Sequence, residues 1–238
     1  MSVASRVERG LHLVAGGGSR AASEGRAEAR APASAMPQPA GATLSELFPA
    51  SPRDAGWTGF VLRHLAAPKP VLWVQERMAI LEGGRVHAGG LGPLGAQLIH
   101  VEARDAKAAL WAMEEGLRCA GLGGVIGELW GDPQALDFTA TRRLAVAAER
   151  FGVACWLIRL AGAANLSGAR ERWRLASAPS APHPFDHKAP GAPRWTADLF
   201  RSRRRHPGSW VVGDEPADLL PVAAEPPDRA VGGWQRRA

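Results

Sequence analysis

The sequence predicts an α/β protein with a mainly parallel sheet flanked by helices and an antiparallel extension at its C-terminal end. Three observations lead there. Short, continuously apolar runs alternate with amphipathic stretches of helical period through the middle of the chain. Beyond about residue 171 the pattern changes to alternation of apolar and polar residues. Neither end of the chain keeps an apolar period, so one folded domain is expected over 43–214. An Ala/Gly/Arg-rich disordered tail is expected over 1–42 and a Pro-rich one over 215–238.

Taken in order, Asp54 is placed to cap a helix carrying Trp57, Phe60, Val61, His64 and Leu65 on one face, stopped by Pro68 and Pro70. Val71-Leu72-Trp73-Val74 is a strand covered on both faces. After a Gly-rich connection, Gln97 to Val101 gives another. Asp105 caps the clearest helix, with Ala106, Ala109, Leu110, Met113 and Leu117 on its apolar face. Val125 to Leu129 is the next buried strand. A helix over Thr139 to Phe151, closed by Gly152, leads to a strand over Val153 to Arg159. This alternation implies parallel strands joined by right-handed crossovers. Trp173 and Leu175 then alternate with Arg172 and Arg174, and Trp195, Ala197 and Leu199 with Arg194, Thr196 and Asp198. Both read as antiparallel strands with one solvated face. A last strand is expected from Ser209 to Val212.

Composition bounds the function. Hydrophobic residues make up 46% and charged residues 22%, as in an ordinary globular protein. The net charge of +6 and the pI of about 10.5 admit a nucleic-acid or an acidic protein partner. Only Lys69, Lys107 and Lys188 of the 29 basic residues are lysine, so arginine abundance partly reflects GC-rich coding, and the clusters carry the information. Cys119 and Cys155 form no CxxC pair, which fits a reducing cytoplasm and neither a zinc site nor a disulfide framework. No run approaches the ~20 apolar residues of a membrane helix, so the protein reads as soluble, cytoplasmic and not exported.

Several motifs are set aside on physical grounds. Gly90-Leu91-Gly92-Pro93-Leu94-Gly95 fits GxGxxG, but it precedes a strand, whereas a dinucleotide fingerprint leaves a strand and opens a helix. The P-loop pattern GxxxxGK[ST] is absent, since no lysine precedes serine or threonine. Ser51 to Thr58 sits where such a loop would stand and lacks its lysine. His183 and His187 are separated from helical geometry by Pro182 and Pro184, so no metal site is expected, nor any cofactor. Trp73, Trp111, Trp130 and Trp156 fall in core elements and are expected to face the core or a partner; Trp57, Trp173, Trp195 and Trp210 stay unassigned. The sharpest charged feature is Arg201-Ser202-Arg203-Arg204-Arg205, either a solvated turn or an anion-recognition site, because guanidinium groups grip phosphates and carboxylates bidentately. Arg142 and Arg143, at the start of a helix, form a secondary basic patch.

Four runs together resemble the ImuA family: Ala109 to Cys119, Thr141 to Glu149, Arg172 to Ser180, and Pro193 to Trp210. That family comprises bacterial proteins related to the recombinase RecA and to the division inhibitor SulA. The resemblance implies a RecA-like core and a non-catalytic accessory role in SOS-induced, error-prone translesion DNA synthesis. The implied partners are the RecA filament, ImuB and, through the complex, an error-prone C-family polymerase, on the nucleoid. In RecA two lysines, one residue apart and followed four residues later by proline, reach the ATP of a neighbouring subunit. Arg201, Arg203 and Pro207 match that spacing, so Arg201, Arg203, Arg204 and Arg205 are the candidate contacts with RecA or an anion. The segments matching RecA's DNA-binding loops, 131–138 and 161–171, look shortened, which leaves at most a weak DNA contact. A basic DNA-binding module and a SulA-like inhibitor of cell division stay open as alternatives.

Overall fold

A computed structural model describes residues 41–65 and 69–213. The tails expected over 1–42 and 215–238 therefore lie, apart from Gly41 and Ala42, outside the described residues. The elements run β1 (Leu44–Pro49), α1 (Trp57–Leu62), β2 (Val71–Glu76), α2 (Arg77–Gly83), a 3-10 segment (Ala88–Gln97), β3 (Leu98–Ala103), α3 (Ala106–Leu117), β4 (Gly124–Trp130), α4 (Phe138–Phe151), β5 (Cys155–Leu160), β6 (Glu171–Ala178), β7 (Arg194–Ser202) and β8 (Gly208–Gly213).

All eight strands form one sheet in the order β3-β2-β4-β5-β1-β6-β7-β8. β1 to β6 are mutually parallel, and β7 and β8 complete the sheet antiparallel. The mainly parallel sheet, flanking helices and antiparallel extension are as the sequence predicts. Each strand sends alternate side chains to opposite faces. On one face Leu44, Val74, Val125, Leu129 and Leu157 meet Ala109, Met113 and Leu117 of α3 and Leu144 and Ala148 of α4. On the other, Leu47, Trp73, Ile126, Trp156 and Trp173 meet Trp57, Phe60 and Val61 of α1.

Local chemistry fixes the ends of the longer helices. The Asp105 carboxylate accepts from the Ala108 amide at 2.8 Å, and that of Asp137 from the Ala140 amide at 2.7 Å, each satisfying an orphan donor of a first turn. Gly152 closes α4 with φ of 72°, where a side chain would be strained. Close approach explains another glycine. A Cβ at Gly168 would stand 2.7 Å from the Arg142 backbone of α4, while the Gly168 amide donates to Thr141 Oγ1 at 2.9 Å. Gly168→Ala must push the loop off α4, with an expected loss of about 1–3 kcal/mol, to be read as a lowered urea midpoint.

Three expectations need correction. Asp54 does not cap α1, whose N-cap is Gly56; its carboxylate turns to β6 instead. The connection after β2 holds a short helix, α2, anchored by the buried Ala79. β6 is antiparallel only to β7 and lies parallel beside β1, so Arg172 is buried rather than solvated, drawn in by Glu46. Of the tryptophans expected to face the core or a partner, Trp111 is not in the core: it stands 64% exposed on the outer side of α3. The unassigned Trp57, Trp173 and Trp195 are core residues, and Trp210 is half-buried against Trp173.

Candidate functional site at the two edges of the sheet

The segment Ala50 to Gly56 leaves β1 and enters α1 at the C-terminal edge of the parallel strands, the customary ligand edge of an open α/β sheet. In a P-loop the backbone amides of this turn face a phosphate. Here the Gly56 amide is taken by Asp54, the Ala50 amide by β6, and the Arg53 and Asp54 amides by Ser51. The Asp54 carboxylate accepts from the Gly56 amide at 2.9 Å, from the Ser177 amide at 2.8 Å and from Ser177 Oγ at 2.5 Å, and the Ala50 amide donates to the Leu175 carbonyl at 2.7 Å. Partial burial raises the Asp54 pKa, and the hydrogen bonds from Ser177 and Gly56 more than offset it, so the carboxyl titrates below its ordinary value.

Under this turn lies a cleft of about 170 Å³, lined among others by Arg53, Trp57, Trp73, Gln75, Arg85 and Glu128. That is smaller than the ~300–1,000 Å³ of usual small-molecule sites. The Trp57 and Trp73 rings pack 5.7 Å apart. Trp73 Nε1 donates to Glu128 Oε1 at 2.5 Å, and Gln75 Nε2 donates to the same oxygen at 3.0 Å. Gln75 also donates to the Gly84 carbonyl and accepts from the Val86 amide, which ties the connection after α2 to the sheet.

Burial pushes the Glu128 carboxyl up to about 7, against the two hydrogen bonds that favour its charged form. A carboxyl held above its unfolded value of 4.5 stabilises the fold while protonated, and that contribution fades as pH rises from about 4.5 through about 7. Glu128→Gln, which copies the neutral acid, is expected to remove this pH dependence. Near pH 8 it should stabilise the protein by on the order of 3 kcal/mol, measured by urea denaturation across pH.

The arginine turn lies at the opposite edge. β7 runs against β6, with Arg201 opposite Arg172 and Ser202 opposite Glu171, so β7 ends where the parallel strands begin. The turn is held by the Arg203 amide, which donates to the Arg170 carbonyl at 3.0 Å, and by the Arg204 and Arg205 amides, which donate to Ser202 Oγ. Arg201, Arg203 and Arg204 are exposed, and none of them forms an ion pair with another described residue. Arg205 differs: its Nε lies 2.8 Å from the fully buried Glu171, so it anchors the turn. Arg142 and Arg143 do not join this group; they stand on the outer face of α4.

Between the two edges runs an ionic network that the sequence does not announce. Glu46 of β1, fully buried, accepts from Arg172 Nε at 2.7 Å and Ser167 Oγ at 2.8 Å and lies 3.7 Å from Arg159. Arg159 also pairs with Asp132. The two guanidiniums lie 5.5 and 5.2 Å from the Phe48 ring. A lone Glu in a short apolar run and an Arg near the end of another were the only signals, and their pairing is set by strand order.

The fold and these edges define a mixed-sheet α/β protein with a rigidly held, solvent-facing arginine turn, distant from the edge at which such sheets customarily bind ligands. No family model matches the chain. Protein ImuA of Caulobacter vibrioides, in each of two strains, is 35% identical to it over 184 residues, covering 72% of this chain and 71% of that protein. The chain belongs to the ImuA family, and so to the system of DNA-damage-induced mutagenesis. Among the described residues no helix is long and apolar enough to cross a membrane.

Proposed function

We propose that the protein is a non-catalytic accessory of SOS-induced, error-prone translesion synthesis. It adds to one end of a RecA filament through Arg201, Arg203 and Arg204, with Arg205 packed behind them. It recruits ImuB and, through ImuB, an error-prone C-family polymerase, and it acts on the nucleoid.

The observation that carries this reading is the separation of the two edges. A head-to-tail assembly uses two different surfaces of each subunit. In a RecA-like subunit one surface grips ATP and the other reaches the ATP of a neighbour. At the first position this chain has an amide turn occupied by Asp54 and a cleft floored by Trp73 and Glu128. At the second it has three exposed guanidiniums on an anchored turn. Such a subunit joins a filament by one face and offers nothing for the next subunit to use, so it caps or trims filaments by mass action without turnover.

The test is RecA assembly on single-stranded DNA in the presence of wild-type protein or of Arg201→Ala plus Arg203→Ala. Filaments altered by the wild type and spared by the double variant fit the reading; equal effects from both exclude it. A second reading, a basic DNA-binding module with weak phosphate contacts, draws on the same exposed arginines. It requires direct binding to single-stranded DNA that falls steeply with salt, by about 0.7 in log-log slope per phosphate contacted.

A further inference from the structure

A concavity of the described surface lies on neither edge. It is a groove of about 580 Å³ between the outer faces of α3 and α4, lined by Glu114, Arg118, Arg142, Arg143, Val146 and Arg150, together with Thr139, Ala147 and Phe151. Its composition is unusual for a solvated helix face. Four arginines surround an apolar floor, Val146 is 48% exposed, and Trp111 stands open one turn before Glu114. Glu114 pairs with Arg143 and Arg118. Arg142 has no acidic partner among the described residues, and Arg150 has the Phe151 ring beside it at 5.3 Å. A tryptophan and a valine left open beside unpaired guanidiniums match a partner that is itself both acidic and apolar.

The chain carries such a segment directly after its last strand. Residues 214–228 hold Asp214, Glu215, Asp218, Glu225 and Asp228, with Leu219, Leu220 and Val222 between them. Five of the 23 acidic residues and none of the 29 basic ones fall there. We propose that residues 214–228 dock in the α3–α4 groove of the same molecule, their carboxylates on Arg142 and Arg150 and their leucines on Val146 and Trp111.

Reach permits it. β8 ends at Gly213, and α4 packs under β1 and β5, three and four strands away. At about 4.8 Å per strand that is roughly 20 Å across the sheet. The segment spans up to about 50 Å when extended. Joined in one chain, it meets the groove at an effective concentration in the millimolar range, so weak contacts suffice. A nucleic-acid backbone fits less well, because Glu114 stands in the lining and phosphates leave the apolar floor unused. This inference is independent of the reading of the arginine turn.

Cys119, the exposed cysteine next to Arg118, supplies the test, since Cys155 is buried. A nitroxide placed on Cys119 of the full-length, isotope-labelled protein should broaden the amide signals of residues 214–228 at low salt. The signals should recover near 1 M salt, where the screening length is about 3 Å. They should recover equally in Arg142→Glu plus Arg150→Glu, and in Asp214→Lys plus Glu215→Lys plus Asp218→Lys, which leaves the described fold untouched. Sharp signals in the labelled wild type overturn the proposal, as does broadening that survives both variants. Broadening seen only when label and isotope are on different molecules also overturns it, in favour of a second copy as the occupant.

Discussion

Glu46→Ala is expected to cost the protein about 3–5 kcal/mol, the range for stripping one partner from a buried ion pair. Glu46 lies in the central strand β1, fully buried, and its carboxylate is the shared counter-charge of Arg159 and Arg172, both nearly inaccessible to water. Burial already lowers the Arg159 pKa, and the Glu46 and Asp132 carboxylates oppose that shift. Removing Glu46 leaves Arg172 with the Ala164 carbonyl and the rings of Phe48 and Phe200, which do not replace a charge. Against a total stability of about 5–15 kcal/mol, that loss removes a large share of the folding free energy. Urea denaturation measures it as a drop in midpoint at unchanged slope. A loss below about 1 kcal/mol would mean that water reaches these guanidiniums and the network is not closed. Replacing all three charges by apolar residues of similar volume should be milder than Glu46→Ala alone, because no unpaired charge is then left inside.

Arg201→Ala plus Arg203→Ala is expected to leave stability within about 0.5 kcal/mol of wild type, as surface substitutions do. The same pair should weaken attachment to RecA filaments roughly 100- to 1,000-fold, since truncating a charge that becomes buried and hydrogen-bonded on binding costs about 2 kcal/mol or more per contact. The separation of effects comes from the structure. Both side chains are exposed and without an ion-pair partner among the described residues, whereas Arg205 is spent on Glu171. Arg205→Ala is therefore a poor probe of partner binding: it removes an ion pair from a buried carboxylate and loosens the turn that presents the others. Fluorescence-anisotropy titration of the labelled protein with filaments, beside a thermal melt of the same samples, measures both quantities.

Much of the fold is legible in the sequence where local pattern and tertiary role agree. α3 and α4 carry their apolar stripes and their Asp caps within a dozen residues, and β2, β4 and β5 are short apolar runs because helices cover both faces of the sheet there. β1 is not legible. Ser45 and Glu46 interrupt its apolar residues, and what makes a glutamate acceptable in the central strand is Arg172, 126 positions away. The same pairing hides Arg172 among the alternating residues of β6, where period alone assigns it to solvent. Asp54 looks like a cap because its partner, Ser177, is remote in sequence. Trp111 shows the converse: a residue type that is usually buried lies on the outer side of a helix whose other face fills the core.

At the candidate site, residue type was legible and placement was not. The arginine cluster is plain in the sequence, but its position at the edge opposite the β1–α1 turn follows from β7 running against β6, a fact of strand order. The division between exposed Arg201, Arg203 and Arg204 and anchored Arg205 rests on one contact with Glu171. Arg142 and Arg143 are plain in the sequence as a basic pair, whereas the groove they line depends on α3 packing beside α4.

The decisive measurement is filament length by electron microscopy as the protein is titrated into RecA on single-stranded DNA. One-sided end binding predicts that filaments shorten when the protein is far scarcer than RecA, because one chain acts per end. It also predicts that Arg201→Ala plus Arg203→Ala abolishes the shortening. Filaments that keep their length until the protein approaches the RecA concentration, or that shorten equally with the double variant, would contradict it.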